Sequence, residues 1–269
     1  MEGRVRAARA LAWREVVRFL RQPSRIVGAF APPLLAWLLL GAGFGASFRV
    51  PGGGTASYVT YFFPGTVVLV VLFAAIFSTI SVIEDRREGF LQAVVVSPVS
   101  PFAVAAGKIA GGTLLALAQG GVLLLLAPVL GYAPSIAALA PALLVLSFVA
   151  LALTGLGLAI AWMLESTQGF HAIMNLFLIP MWFLSGSFFP ADGAPAWLRA
   201  AMAVNPLTYG VAALRRALDP SATGLPSSGL SVAVTFAFAL GTALVATAVI
   251  TRYPAGPASA ALRSRRKKS

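Results

Sequence analysis

The sequence predicts an all-α integral membrane protein. It has six transmembrane helices, an N-terminal cytoplasmic amphipathic helix, short outer helices between spans five and six, and both termini in the cytoplasm. Three observations carry this. Mean hydropathy is +0.88 and charged residues make up 10% of the 269-residue chain, against roughly a quarter in soluble domains. No soluble fold hides that much apolar surface, so the solvent is largely lipid. The apolar residues fall into six stretches separated by polar turns, about 26–46, 58–83, 107–130, 136–164, 172–189 and 230–252. Finally, Lys and Arg are distributed unevenly. Seven precede span one, three flank the turn after span two and six follow from Arg252 onward, sixteen in all, against four (Arg49, Arg199, Arg215, Arg216) on the other side. An even number of spans with that bias places both termini inside.

The same composition excludes other classes. The chain has no cysteine, so disulfides and thiolate metal sites are ruled out, and no metal is expected. A net charge of +12 raises nucleic acid as a partner. The positive charge instead flanks apolar spans, where its role is topological. The length leaves no room for a large soluble unit, so residues 1–269 read as one membrane domain.

Residues 4–22 read as a basic amphipathic helix on the bilayer surface. Val5, Leu11, Ala12, Val16, Phe19 and Leu20 share one side, Arg4, Arg14, Arg18 and Arg21 the other, and Trp13 suits an interface. Its length and Pro32-Pro33 early in the next stretch argue against a cleaved signal. Span one bends at those prolines, and Gly41 and Gly45 have the spacing for close helix contact. Pro51 to Gly54 form an outer turn. Span two, with Pro64-Gly65 near its outer end, leads into Glu84-Asp85-Arg86-Arg87-Glu88-Gly89, which holds three of the eight acidic residues. Residues 84–106 are too polar and too interrupted by proline to cross. Ser100 reads as an N-cap with Pro101 at the first helical position, starting a helix that carries Lys108 into span three. Gly107, Gly111 and Gly112 give that helix a close-packing face. Glu165 to Gly169 form an inner turn with His171 just beyond. Residues 197–204 and 207–218 form two helices too short to span, broken at Asn205-Pro206. The tail ends in a basic run, either drawn to anionic lipid or a simple topological anchor.

Three stretches, in order, carry a resemblance: Glu84 to Lys108, Leu184 to Pro190, and Asn205-Pro206-Leu207-Thr208-Tyr209 followed by Arg215. The chain resembles the membrane subunit of type-2 ABC exporters, in the branch that contains drug-resistance and nodulation-type lipo-oligosaccharide exporters, over nearly its whole length. The resemblance implies a permease of the cytoplasmic membrane that pairs with a second permease copy as a homodimer and with two ATPase subunits. ATP and Mg would then belong to the partner. The chain itself has no phosphate loop, since Gly107-Lys108 continues into Ile109 and Phe102 stands where the first Gly would be. It is therefore not expected to be an enzyme.

The resemblance also makes the segment after span two a coupling element against the ATPase. Glu84, Asp85, Arg86, Arg87 and Glu88 offer ion pairs at that contact, Gly89 a turn, and Phe90 and Leu91 apolar anchors. Ser97, Pro98, Ser100, Pro101 and Lys108 form the lever into span three. Asn205, Pro206, Thr208 and Tyr209 form an outer helix start or gate. Trp182, Phe183, Phe188 and Phe189 either line a greasy substrate path or pack against neighbours and lipid. The substrate would be hydrophobic, amphipathic or lipid-linked, moved by alternating access. An ion-coupled secondary transporter needs ionisable groups within its spans, and the acidic residues lie at span ends or in loops. An intramembrane serine protease fails because Ser47 and His171 belong to opposite faces.

Overall fold

The computed structural model describes residues 2–45, 57–96, 99–132 and 136–253. These form ten α-helices and no strand: α1 Glu2–Leu20, α2 Pro23–Phe44, α3 Tyr58–Arg87, α4 Phe90–Val96, α5 Pro101–Leu124, α6 Ile136–Met163, α7 Thr167–Trp182, α8 Ala196–Val204, α9 Pro206–Leu218 and α10 Ser228–Arg252. Six helical stretches are long and apolar enough to cross a membrane: α2, α3, α5, α6, α7 with its extension to Ser187, and α10. The protein is an all-α membrane protein.

Helix α3 is the axis. It is apolar on every side from Tyr61 to Ile83 and is buried almost throughout, against α2, α5, α6 and α7; a helix apolar all round needs neighbours all round. By contrast α2, α7 and α10 turn Leu39, Phe177 and Leu244 outward. Small residues set the spacing. A Cβ on Gly112 would stand 2.6 Å from the Thr154 side chain, one on Gly120 2.5 Å from Val71, and one on Gly155 2.9 Å from the α10 backbone. Gly41 meets Val59 in the same way, at 2.6 Å, whereas the atoms nearest Gly45 belong to its own helix. The expected Gly41/Gly45 pair therefore makes one interhelix contact, not two.

Several boundaries differ from the expected spans. Residues Glu84–Arg87 are the last turn of α3, because Glu88 N closes onto Glu84 O at 2.8 Å and Gly89, with φ +77°, supplies the stop. Residues Phe90–Val96 then form α4, a helix not foreseen in a stretch read only as too polar and proline-interrupted to cross. The third span starts at Pro101 and ends at Leu124, shifted towards the N-terminus. The Ser100 cap, accepting from Ala103 N at 3.3 Å, begins the helix, which runs as one rod from Pro101 past Lys108 into the span. The fifth starts at Thr167 under a Ser166 cap and stops regular winding at Trp182, with a wider turn over Phe183–Ser187.

The bundle has two ends. The proximal end carries α1, the α3–α4–α5 link, the α6–α7 turn and the close of α10, where Trp162 Nε1 donates to Tyr253 O at 2.8 Å. The distal end carries α8 and α9. Asn205, between them, donates through Nδ2 to Met181 O at 2.6 Å, five residues short of Gly186 on the α7 rod. A Cβ on Gly210 would stand 2.9 Å from Val149, well down α6. The α8–α9 hairpin therefore dips into the bundle.

Candidate functional site

The polar stretch after span two is built into the bundle by α1. Helix α1 lies across α5 at backbone distance: a Cβ on Gly107 would meet Ala8 O at 2.7 Å and Leu11 Cβ at 2.8 Å, and one on Gly111 would meet Ala12 O and Glu15 Cβ at 3.0 Å. The buried stripe of α1 is Leu11, Glu15 and Phe19, residues one turn apart. Val5 and Leu20, assigned to the apolar side from sequence, are exposed, as is Trp13. The stripe follows α5 and α3.

That packing delivers Glu15 to Lys108, both nearly fully buried. Lys108 Nζ donates to Glu15 Oε1 at 2.7 Å and to Asp85, and Ser81 Oγ donates to Glu15 Oε2 at 2.6 Å. Asp85 is completely buried. It accepts a two-pronged bond from Arg14, at 2.8 and 3.2 Å, and a bond from Arg18 Nη1 at 2.5 Å. Arg18 Nη2 continues to Glu84 at 2.9 Å and Glu88 at 3.4 Å. Arg25, at the start of α2, grips both Glu84 oxygens at 2.5 and 2.6 Å. The Arg14 guanidinium also stacks 3.6 Å over the Phe90 ring. Four carboxylates (Glu15, Glu84, Asp85, Glu88) thus face four cations (Arg14, Arg18, Arg25, Lys108) in one connected network. Burial opposes the charge on Arg14, but the hydrogen bond and charge of Asp85 outweigh it, and its pKa is raised.

The other half of the stretch ties α3 to the α6–α7 turn. Arg86 donates to Trp162 O at 2.7 Å and Leu164 O at 2.8 Å, and Arg87 to Glu165 O at 3.1 Å. Three helix ends and the N-terminal helix are thereby held as a unit. A rigid block of this kind can transmit a displacement of α1 or α4 to α3 and α5 together.

The sequence-predicted residues sort accordingly. Asp85 and Lys108 face inward and have no surface to offer a partner, because each is consumed by oppositely charged neighbours. Leu91 is buried in the core, while Phe90 lies against it under Arg14. Arg87 and Glu88 are the exposed members, Glu88 with 61% of its side chain free. Ser97 and Pro98 lie outside the described residues, as do Arg49, Pro51 to Gly54 and the basic tail. Sequence reading missed Glu15, Arg14, Arg18 and Arg25 as partners of the stretch. The available signal was a pair of lone opposite charges on apolar faces, Glu15 between Leu11 and Phe19, and Lys108 among the glycines of α5.

At the distal end Asn205 caps α9, its Oδ1 accepting from Leu207 N at 3.0 Å, with Pro206 at the first helical position. Thr208 satisfies no amide. Its hydroxyl donates to Met202 O at 2.7 Å, because the cap is already filled by Asn205. Tyr209 folds back onto Ala203 O at 2.8 Å. Trp182 is locked in the core, donating to Gly65 O at 2.8 Å. Phe188 is ringed by Tyr58, Phe62 and Phe183 and touches Phe189, which is half-buried. Phe183 is the exposed member of the four. Trp182 and Phe188 thus pack against neighbours within the bundle.

Comparison with known proteins bears on what such a bundle does. The family described as "ABC-2 type transporter" matches residues 6–218. The chain is 28% identical to nodulation protein J of Rhizobium leguminosarum bv. viciae over 247 residues, 90% of each chain. It is 27% identical to the putative transport permease ycf38 of Cyanophora paradoxa over 208 residues, 76% of this chain and 71% of that one. With the daunorubicin resistance ABC transporter permease protein DrrB1 of Streptomyces coeruleorubidus it shares 23% over 212 residues, 78% of this chain and 74% of the relative.

Proposed function

Because this chain belongs to the ABC-2 type transporter family, we propose that it is the membrane subunit of an ATP-driven exporter of amphipathic or lipid-linked compounds, drug, lipid or glycolipid. The relatives' names, nodulation protein and daunorubicin resistance permease, support that substrate class. In this reading two copies of the chain pair in the cytoplasmic membrane and two separate ATPase subunits bind ATP and Mg. The proximal end, with both termini, is cytoplasmic, supported by the sixteen-to-four bias of Lys and Arg.

The observation that carries the coupling role is the charge-balanced network. An ATPase pressing on Arg87, Glu88 and the exposed side of α4 pushes a block already bonded to α1, α3 and α5. The lever is then the whole proximal cap, with Ser100, Pro101 and Lys108 at its joint and Ser97-Pro98 in its link. The α8–α9 hairpin, hung from α7 by Asn205 and Thr208, is the distal gate, moving when α3 and α7 shift.

Co-reconstitution of the chain with its ATPase in liposomes tests this. Glu88→Ala should lose most of the substrate-stimulated ATP hydrolysis while the melting temperature stays put, since Glu88 holds the network only by a 3.4 Å contact to Arg18. Unchanged stimulation would remove Glu88 from the contact. Phe90→Ala is the weaker probe, because it also strips the ring from beneath Arg14.

A further inference from the structure

The distal end contains a cavity of about 610 Å³ between α9, the turn at Ser185-Gly186, the start of α3 and the loop before α10. Its wall combines Tyr61, Thr208 and Arg215 with Met202, Val211 and Leu225, a mixture suited to a molecule with a polar head and an apolar body.

Arg215 is the unusual member. Its residue is only 9% exposed, yet it makes no ion pair among the described residues, which include all eight acids of the chain. Nη2 donates to Tyr61 O at 3.2 Å and Gly186 O at 3.1 Å, the Tyr61 ring lies 4.0 Å from the guanidinium carbon, and Nε has no partner. The other charges on the wall are otherwise engaged or solvated. Asp219 Oδ1 accepts from Ser221 N at 3.0 Å and Ser221 Oγ at 2.5 Å, Arg199 donates to Ala194 O at 2.7 Å, and Asp192 is exposed beside Gly224. A buried cation held by carbonyls and the Tyr61 side chain, with no carboxylate in ion-pair reach among the described residues, is incompletely compensated. A phosphate or carboxylate meets that need, because its oxygens match the guanidinium fork.

We propose that this cavity is a binding site for the anionic headgroup of an amphiphile, a phosphate-bearing one above all, with Arg215 as its charged anchor and Met202, Val211 and Leu225 along its apolar part. The site stands on the distal geometry alone and does not depend on the ATP-coupled reading, because binding is measured on the chain without a partner.

Binding of dioctanoyl phosphatidic acid to the purified full-length chain in a non-ionic detergent tests it, with dioctanoylglycerol and inorganic phosphate as controls. The phosphatidic acid should bind about tenfold or more tighter than dioctanoylglycerol, and Arg215→Gln should abolish that preference. Inorganic phosphate should compete poorly. Equal binding of the charged and uncharged lipids overturns the proposal, and so does phosphate that competes as well as the lipid, which would make this a free-anion site. Arg215 also braces Tyr61 and Gly186, so Thr223→Trp, on the exposed wall, provides a second variant that fills the cavity and leaves the guanidinium in place. It should block the lipid, and undiminished binding would count against the site.

Discussion

Lys108→Met removes the most buried cation of the proximal network. The cost follows from what is left behind. Asp85 keeps Arg14 and Arg18, but Glu15 keeps only the Ser81 hydroxyl and a 3.3 Å contact to Arg14. Glu15 is 5% exposed, so water does not replace the ammonium. Removing one partner of a buried pair costs about 3 kcal/mol at the low end of its range, or roughly 6–12 °C in melting temperature for a chain of this size. Glu15→Met should cost somewhat less, because Lys108 loses one carboxylate but keeps Asp85. The double variant is the informative one. It removes one charge of each sign and leaves Arg14, Arg18 and Arg25 against Glu84, Asp85 and Glu88, again in balance. Replacing a buried pair with apolar groups of similar volume is often neutral, so the double variant should melt within a few degrees of the parent, with a coupling energy of about 2 kcal/mol or more. Thermal unfolding in detergent, followed by the decay of the monodisperse chromatographic peak, measures all four proteins. A double variant no more stable than the worse single one refutes the pairing.

Three further outcomes follow from contacts described above. Gly107→Val drives a side chain into Ala8 O and Leu11 of α1; overpacking of about 1–3 kcal/mol should lift α1 off α5. Because the chain has no cysteine, a Leu11→Cys reporter, protected from maleimide in the parent background, should then become labelled. Gly89→Ala has open space around it but sits at φ +77°, so it should lose about 1–2 kcal/mol from backbone strain alone, read as a small drop in melting temperature. Asn205→Ala deletes both the α9 cap and the bond to Met181, and should cost about 1–2 kcal/mol, with faster proteolysis in the 190–205 segment.

The spans were legible because lipid enforces a simple rule, and α2, α3, α5, α6, α7 and α10 lie close to the six apolar stretches. Local signals worked as well. Ser100 and Pro101 start α5, and Asn205 caps α9, as their residue types require. The sequence was opaque where meaning depends on neighbours far along the chain. Asp85 read as a surface charge because it stands among charges, and only the close approach of α1 to α5 reveals that it is enclosed. Lys108 read as part of a lever, whereas its ammonium is the joint between three helices. Arg86 carries no local hint that it reaches the carbonyls at the end of α6. Arg215 was counted as one outer charge of four, and its burial without an acid is visible only in three dimensions.

The proximal network also orders the birth of the molecule. Glu15 and Lys108 are separated by 93 residues, and Arg14 and Asp85 by 71. At roughly 5–20 residues per second, α1 leaves the ribosome about 5–19 s before its last partner is made. Until Glu84 and Asp85 emerge, its arginines have only water and lipid headgroups to meet. The helix that seals the cap is therefore made before its partners and can seat only after them, and its docking reports that three spans have been inserted in the right sense. A chain with α3 or α5 inverted would carry Asp85 or Lys108 to the wrong side, leave Glu15 unmatched, and present quality control with a loose basic helix.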